Sequence, residues 1–426
     1  MNAVNLLRRR AATALGSYGA TALGIAGTII AARVLEPPNF GRLTIVLATV
    51  ALFQLLLDLT SEEALVKYGF RFAESADWGR FRRLFEVALG FKTASAIAAG
   101  LLVAALAPFS EDVFGVDITT PLLVAAVLPL LYSFEGTAAG ALILRGRYDV
   151  RAWFLLVSMG ARLIAIVIGA PRGVTATVAG LVVAQTISTL AICAVGLAAF
   201  RRFPAAEPAA LGEHRREIVR FVAQSSVGTG LVSLRGWIAP LLLGIVSDVR
   251  QVGLFRAAQA PQQGFAALSS PVRLILLTEQ TRDWERGRSE QVFAGVRRYS
   301  LGAAALMAIA VPVFWALMPT LVRVVLGSNF EDATNAARVI LLAAAVQLVY
   351  GWTKSLPVTI GRPGLRIVAH AVEVAVLVPL LVVFGDRWGA TGAAGAVLVS
   401  TIAFALVWTL LVLRLRSHPL VQPSTA

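Results

Sequence analysis

Ionisable side chains inside long apolar runs are the residues of this sequence best placed to do chemistry. Lys92, Arg162 and Arg235 lie well inside such runs, and Arg33 and Arg256 lie near the ends of two others. A charge surrounded by hydrocarbon is costly, so such residues usually face a cavity or a partner. Arginine matches phosphate oxygens through parallel hydrogen bonds. If these cations converge on one cavity, that cavity is predicted to bind an anionic group.

Each of these cations also has a structural interpretation. Arg33 and Arg256 could extend their head groups to the membrane surface. Arg162 and Arg235 could belong to buried ion pairs. Lys92 is close enough to the end of its run to reach the surface as well. The sequence leaves these alternatives open.

Carboxylates inside the apolar runs are fewer, and their positions suit ion coupling. Glu135 lies in the fourth run, and Glu373 lies in the eleventh run on the same helical face as His370. A carboxylate beside an imidazole predicts a proton relay, because small shifts move either pKa across physiological pH. The alternative is that Glu373 neutralises a cavity arginine. Its position in the repeat described below predicts that it faces Arg162 across a central cavity.

Composition assigns the chain to a membrane. Of 426 residues, 58% are hydrophobic and 15% are charged, and the mean hydropathy is +0.77. A soluble globular protein has about 45–50% apolar and about 25% charged residues. The net charge of +14 is explained by basic loops that orient membrane helices, so no nucleic-acid partner is expected. The lone Cys193 excludes an internal disulfide, and the lack of a Cys/His cluster predicts neither metal nor cofactor.

Apolar runs long enough to cross a membrane recur along the chain. A helix needs about 20 apolar residues to span the hydrocarbon core, and on that rule we predict about 12 transmembrane helices. The runs do not alternate with a period of two, so an all-α integral membrane protein is expected. The predicted spans are 11–35, 41–60, 84–107, 120–144, 153–170, 174–199, 219–246, 252–277, 299–325, 336–359, 365–385 and 390–413.

Basic residues are concentrated in one of the two alternating sets of loops, which orients the chain. Arg8, Arg9 and Arg10 precede the first span, and similar clusters lie after every second span. This asymmetry predicts that both termini are cytoplasmic. The tight connection at 33–42, which contains two prolines, would then face outward. The longest outer loop covers only 108–120, so no soluble domain is expected.

The chain is predicted to be one unit built twice. Residues 245–256 weakly repeat 33–42, and further matches share an offset of about 212–216 residues. Six spans cannot invert a repeat, so two parallel-repeat six-helix bundles are expected, an arrangement that transporters use with a substrate site between the halves. The predicted parts are an N-terminal bundle (1–200), a flexible cytoplasmic linker (201–218), a C-terminal bundle (219–416) and a disordered tail (417–426).

Several segments resemble those of a transporter family. A-A-R-V-L-E-P-P-N-F-G-R at 31–42 is similar to A-R-x-L-G-P-x-x-F-G, and L-L-L-D-L-T-S-E-E-A-L-V-K-Y at 55–68 is similar to L-x-D-L-G-x-x-x-A-L-V-R. A-L-I-L-R-G at 141–146 and residues 240–258 add to the match. The chain therefore resembles the polysaccharide-biosynthesis flippases (the Wzx-type oligosaccharide flippase family) of the MOP, or MATE-like, exporter superfamily.

This resemblance implies a MATE/MOP-like fold, a central cationic cavity and no enzymatic activity. It implies a flippase of the bacterial inner membrane that moves a polyprenyl-pyrophosphate-linked oligosaccharide to the outer leaflet for O-antigen, exopolysaccharide or capsule synthesis. H⁺ or Na⁺ would be the coupling ion, and polysaccharide polymerase machinery a possible partner. The sequence departs from the pattern at Thr60 and at Ala239–Pro240, where many relatives have glycine and an acidic residue. The second departure argues against cation coupling at that position.

Other functions are compatible with the same sequence. A lipid II flippase would use the same pyrophosphate chemistry with a different sugar. A multidrug or organic-cation antiporter would need an acidic or aromatic cavity, which the basic interior disfavours. A polysaccharide polymerase or ligase would be expected to carry a large external loop with reactive Arg and His residues, and the outer loops are short.

Overall fold

The fold is a set of long α-helices joined by short turns. It is seen in a computed structural model, which describes residues 3–57, 61–260, 262–264, 280, 282–284, 286–360, 362 and 364–417. The α-helices are α1 Ala3–Leu57, α2 Ser61–Glu74, α3 Trp78–Leu106, α4 Ser110–Phe114, α5 Thr119–Ala125, α6 Leu128–Leu144, α7 Tyr148–Gly169, α8 Val174–Phe200, α9 His214–Val246, α10 Val249–Ala258, α11 Ser289–Leu326, α12 Thr334–Val349, α13 Leu356–Thr359 and α14 Gly364–Ser417. Short 3₁₀-helices cover Ala107–Phe109, Ala170–Arg172, Ser328–Ala333 and Gly351–Lys354. The described residues contain no strand.

Within the described residues, nine helices are long and apolar enough to cross a membrane. The difference from the predicted twelve has two causes. First, α1 and α14 each hold two predicted spans. Second, most of the predicted span 252–277 lies outside the described residues, as do residues 418–426 of the predicted tail. The chain is an all-α, multi-pass membrane protein.

The predicted break at 33–42 is a single residue inside α1. Glu36 has φ 59° and ψ 167°, and helical geometry continues on both sides. Pro37 and Pro38 follow directly and so occupy the first turn of the second segment, where a proline loses no hydrogen bond. A positive φ is unusual for a residue with a Cβ, so the backbone is strained at this point.

A second break inside a merged helix is at Gly389, which has φ 54° and ψ −132° inside α14. This break frees the Ala390 N–H, which donates to Gln251 Oε1 at 2.9 Å. Gln251 belongs to α10, whose N-cap is Asp248. Helix α10 is thereby attached to α14 at the point where α14 changes direction.

Backbone geometry supports the repeat that the sequence predicts. Gly115 and Gly327 end helices with positive φ, and Gly173 and Gly389 have positive φ between consecutive membrane helices. Each pair is separated by about half of the chain, close to the offset predicted from the sequence. Glycine adopts a positive φ without steric cost, and both halves have glycines with positive φ at equivalent positions.

The chain separates into two compact units, Met1–Leu241 and Leu242–Ala426. In the first unit, α1 packs along α7 and α6 along α8. Small residues allow the close approach: a Cβ on Gly16 would lie 2.7 Å from the Ala152 carbonyl oxygen, and one on Gly196 would lie 2.7 Å from Ala138 Cβ. In the second unit, Trp352, Phe404 and Trp408 form the centre of an aromatic cluster. The predicted domain limits at 201–218 remain a prediction.

The segment 201–213 is packed against the first unit, although its prolines and charges predict a flexible linker. The Phe203 ring lies 4.8 Å from the Phe81 ring between centroids, and Leu211 is buried in the same cluster. The Ala209 N–H donates to the Gly79 carbonyl at 3.0 Å. The burial of Phe203 and Leu211 and the hydrogen bond from Ala209 to Gly79 therefore hold this segment in place, although its prolines and charges favour flexibility.

Candidate functional site

The first unit contains a cavity of about 490 Å³. Five helices contribute to its wall, and its lining includes cationic, anionic and aromatic side chains. The lining residues are Thr13, Ser17, Glu62, Tyr132, Glu135, Gly136, Ala139, Tyr148, Arg151, Ala152, Leu155, Ser158, Met159, Arg162, Gln185 and Ile192. Two of the predicted site residues, Arg162 and Glu135, are among them.

Arg162 reaches the cavity from the middle of α7 and is held by Tyr132 of α6. Its Nη2 donates to the Tyr132 hydroxyl, and its guanidinium carbon lies 5.6 Å from the centroid of the Tyr132 ring. Its Nε is buried and has no hydrogen-bond partner among the described residues. An unsatisfied buried donor is costly, so the described residues alone leave this guanidinium incompletely satisfied.

Glu135 lies one helical turn after Tyr132 and faces the same cavity. Its carboxylate accepts a hydrogen bond of 2.6 Å from Gln185 Nε2 of α8, and Gln185 also donates to Thr189 Oγ1 at 3.2 Å. The predicted coupling carboxylate therefore has a neutral hydrogen-bond partner. This arrangement orients the carboxylate without neutralising its charge.

Glu62 and Arg151 form an ion pair at the cavity wall, with Arg151 Nη2 lying 3.0 Å from Glu62 Oε1. Lys92 of α3 lies behind the same part of the wall and is buried. Lys92 Nζ and Glu62 Oε2 lie 3.0 and 3.6 Å from the position that a Cβ at Gly136 would occupy. The absence of a side chain at Gly136 thus leaves room for the ammonium group beside the cavity.

The remaining predicted cations do not line this cavity. Arg33 is exposed near the break in α1, and Arg235 is half-buried in α9. Arg256 lies in the second unit, where its Nη1 donates to Gln259 Oε1 at 2.8 Å. Their convergence with Arg162 and Lys92 on one central site remains a prediction.

His370 and Glu373 form a buried pair in the second unit. His370 Nδ1 lies 2.9 Å from Glu373 Oε2, and the Glu373 side chain is fully buried. The imidazole stacks on the Phe404 ring at a centroid distance of 4.8 Å. The sequence places both residues on one helical face, and the structure brings their side chains into contact. The predicted pairing of Glu373 with Arg162 remains a prediction.

Helix α2 is connected to α9 by side-chain contacts spaced one turn apart on both helices. Arg71 pairs with Glu217 at 3.0 Å, and Lys67 Nζ lies 4.1 Å from the centroid of the Phe221 ring. The contact nearest the cavity joins two further residues, with the Ser225 hydroxyl donating to the Glu63 carboxylate. We refer to these contacts as the α2–α9 ladder.

Tyr68 strengthens this ladder from the α2 side. Its hydroxyl donates to Glu217 Oε1 at 3.1 Å. Burial, together with the adjacent Glu217 carboxylate, raises the pKa of Tyr68. The hydroxyl therefore remains protonated and able to donate well above neutral pH.

Sequence reasoning missed four residues of the site: Glu62, Tyr132, Arg151 and Gln185. Arg151 is near a helix end, where a basic residue is expected to set the orientation of the chain in the membrane. Glu62 is one of several charged residues between two apolar runs. Tyr132 and Gln185 are uncharged, so they lack the signal that marks an ionisable residue within an apolar run. The described residues contain no group of His, Cys, Asp and Glu that could hold a metal ion.

Known proteins share this fold. The chain matches a lipid II flippase, MurJ, in an inward closed conformation with a TM-score of 0.73 at 11% identity, covering 94% of this chain and 87% of that chain. It matches an inward-facing multidrug resistance MATE family transporter of the MOP superfamily with a TM-score of 0.62 at 13% identity, covering 96% of both chains. A MATE transporter from Vibrio cholerae gives a TM-score of 0.62 at 12% identity, covering 97% of both.

These similarities show the fold, and the sequence shows the family. No curated protein matches the chain. The pattern of the family described as "Polysaccharide biosynthesis protein" matches residues 6–269, which is more than half of the chain. This protein, whose fold is that of the MOP-superfamily transporters, belongs to the polysaccharide biosynthesis protein family.

Proposed function

We propose that the protein is a flippase that moves a polyprenyl-pyrophosphate-linked oligosaccharide from the cytoplasmic to the outer leaflet by alternating access, for surface polysaccharide synthesis. Membership of the polysaccharide biosynthesis family supports the class of glycan. The observation that carries the proposal is the guanidinium group of Arg162, which lines a polar cavity and has one nitrogen that the described residues leave unpartnered. A phosphate oxygen is the acceptor that an arginine fork binds best.

The charge in and beside the cavity favours an anionic substrate. Lys92, Arg151 and Arg162 are cationic, and Glu62 and Glu135 are the carboxylates that face or adjoin the same space. The cations are in excess even when both carboxylates are ionised. An organic cation would be repelled by this balance, which disfavours a multidrug antiporter.

The cavity volume suits a part of the proposed substrate. Sites for small molecules have volumes of about 300–1,000 Å³, and this cavity has about 490 Å³. We therefore assign it to the pyrophosphate and the adjoining sugar. The polyprenyl chain and the outer sugars would lie outside it, the chain in the lipid.

Coupling to H⁺ or Na⁺ is assigned to Glu135 and to the His370–Glu373 pair. Glu135 is close enough to Arg162 for its ionisation to alter the field at the anion site, since both residues line one cavity. His370 and Glu373 are buried together, so one proton exchanged there would change the charge of the second unit. Variants Glu135→Gln and Glu373→Gln are expected to lose gradient-driven transport and to retain binding.

The proposed cellular setting follows from loop charge and fold. The protein would lie in the bacterial inner membrane with both termini cytoplasmic, and polysaccharide polymerase machinery would use its product. Moving an intact lipid-linked glycan breaks no covalent bond, so the activity is transport and not catalysis.

A flipping assay tests the proposal. The full-length protein is reconstituted into liposomes that carry a fluorescent undecaprenyl-pyrophosphate-linked oligosaccharide, and the fraction accessible to a membrane-impermeant quencher is followed over time. We expect flipping by the native protein and, because a hydrogen bond to a charged group contributes about 1.5–3 kcal/mol, a loss of about tenfold or more in Arg162→Ala.

Arg172→Ala is the matched control, because Arg172 ends the same membrane segment and does not line the cavity. Fluorescent lipid II and a cationic dye serve as competing substrates. Transport of the dye alone would refute the proposal. Transport of lipid II alone would mean that the transported glycan is that of lipid II and not a precursor of a surface polysaccharide. Equal flipping by native protein and Arg162→Ala would refute the cationic site.

A further inference from the structure

The carboxylate of Glu62 occupies a position that an anionic ligand would be expected to take. Glu62 is in the first turn of α2, and its Oε1 accepts a hydrogen bond of 3.0 Å from Arg151 Nη2. Its Oε2 faces the space beside Gly136 that Lys92 Nζ also faces. A single carboxylate thus lies between two cations at the wall of the cavity.

Removal of this carboxylate would change the charge that the cavity offers to a ligand. With Glu62 in place, the cations Lys92, Arg151 and Arg162 face two carboxylates, Glu62 and Glu135. Without it, the excess of positive charge rises from one to two. A pyrophosphate esterified at both ends carries one negative charge on each phosphorus, which matches the larger excess.

The contact that holds Glu62 is weak enough to exchange. The side chains of Arg151 and Glu62 are 46% and 30% exposed, and ion pairs that water reaches contribute little to stability. A phosphate group with several oxygens can engage the Arg151 fork through parallel hydrogen bonds. It therefore has more contacts to offer Arg151 than the single hydrogen bond that the resident carboxylate accepts from it.

The geometry points to Glu62 as a resident competitor of the substrate. Its carboxylate fills the phosphate position when the cavity is empty and is displaced when the pyrophosphate enters, so Glu62 sets the affinity and the release of the substrate. This inference rests on the proposed function, and it adds a residue and an exchange step to the proposed site.

Displacement of Glu62 also has a consequence for α2. The next residue, Glu63, contacts Ser225 of α9, and the rest of the α2–α9 ladder lies on the same helix. Neighbouring residues on a helix point in different directions. Helix α2 can therefore keep Glu62 at the cavity and Glu63 in the ladder together only in one position. Pyrophosphate binding is therefore expected to loosen the ladder.

Equilibrium binding to the purified full-length protein tests this inference. The probe is a farnesyl-pyrophosphoryl-hexose, measured by calorimetry with the native protein and with Glu62→Gln. We expect Glu62→Gln to bind the probe about three- to tenfold more tightly, since it loses the competing charge and keeps its size. Glu86→Gln is the control, because it removes the same charge from an exposed ion pair with Arg83 outside the cavity and is expected to bind within about twofold of the native protein.

The outcomes separate this inference from the proposed function. Unchanged or weaker binding by Glu62→Gln, alongside weak binding by Arg162→Ala, would overturn the competitor role and leave the cationic site standing. Native-like binding by Arg162→Ala would overturn the proposed function itself. Glu62→Asp is a second variant in case Glu62→Gln does not fold. It withdraws the carboxylate from Arg151 and is expected to bind more tightly than the native protein, and equal or weaker binding by it would again overturn the role.

Discussion

At the scale of single residues, the cavity depends on how one arginine is held. Tyr132 positions the Arg162 guanidinium through its hydroxyl and its ring, and Gln185 orients the neighbouring Glu135. These contacts fix the donors before a ligand arrives, which lowers the entropy lost on binding.

The first prediction concerns the hydroxyl of Tyr132. Tyr132→Phe keeps the ring and removes the acceptor, so the guanidinium loses its anchor and its orientation. We expect the pyrophosphate probe to bind about three- to tenfold more weakly, in line with about 1 kcal/mol for one hydrogen bond. Calorimetry provides the measurement. Tyr350→Phe is the control, since its hydroxyl contacts Thr409 in the other unit; an equal loss in that variant would argue against a local effect.

Sequence alone identified three of the five charged residues of this site. Arg162, Lys92 and Glu135 stood out because charges in apolar runs are rare, and the structure places all three in or beside one cavity. Tyr132 and Gln185 carry no such signal. Their role depends on distances between α6, α7 and α8 that no sequence spacing determines.

At the scale of secondary-structure elements, close helix contacts build the wall of the cavity. Gly16 of α1 lies against the backbone of α7 at Ala152, which is itself a lining residue. Backbone atoms cannot move aside as a flexible side chain can, so this contact requires glycine.

The second prediction tests that contact. Gly16→Leu would force α1 away from α7, and overpacking of this kind typically costs about 1–3 kcal/mol. We expect a lower midpoint in thermal unfolding of the detergent-solubilised protein and weaker binding of the probe. Gly90→Leu in α3 makes the same substitution where nothing lies within 4 Å. If both variants melted alike, the α1–α7 contact would not be the cause.

The third prediction concerns the segment 201–213. Because Phe203 and Leu211 pack into the first unit, limited trypsin digestion is expected to cut slowly at Arg201 and Arg202. Phe203→Ala removes the ring that contacts Phe81 and should expose these sites to faster cleavage. Phe109→Ala, at an exposed ring in another loop, should leave the cleavage rate unchanged. Rapid cleavage of the native protein would support a mobile linker instead.

Most of the elements could be predicted from hydropathy, while their ends and breaks could not. The long apolar runs locate the membrane helices because length and apolarity are sufficient signals. The break at Glu36 takes one residue, where the sequence suggested a turn of several. The linker was predicted as flexible from its prolines and charges, and the packing of Phe203 depends on an aromatic surface formed by distant residues.

At the scale of the whole molecule, the fold is that of the MOP superfamily, and both halves have glycines with positive φ at equivalent positions. The family and the fold could be predicted from the sequence because short motifs and spacing survive at low identity. Which charged groups from the two units share a site stays a prediction, since that depends on how the units are arranged during transport.

The fourth prediction is the orientation of the chain. In a Cys193→Ala background, a cysteine replacing Glu111 in the 108–120 loop should react with a membrane-impermeant maleimide in intact spheroplasts. A cysteine replacing Glu207 in the linker should react only after lysis. The reverse pattern would place the termini outside and would require substrate to enter from the opposite leaflet.

The proposed function depends above all on binding of the substrate pyrophosphate in the cavity of the first unit. The most direct measurement is photo-crosslinking of a radiolabelled pyrophosphate-linked glycan lipid to benzoylphenylalanine introduced at Met159, which lines the cavity. We expect a crosslink that excess unlabelled pyrophosphate probe abolishes and that Arg162→Ala weakens. A crosslink that is absent at Met159, and present instead at Met318 in the second unit, would contradict this expectation.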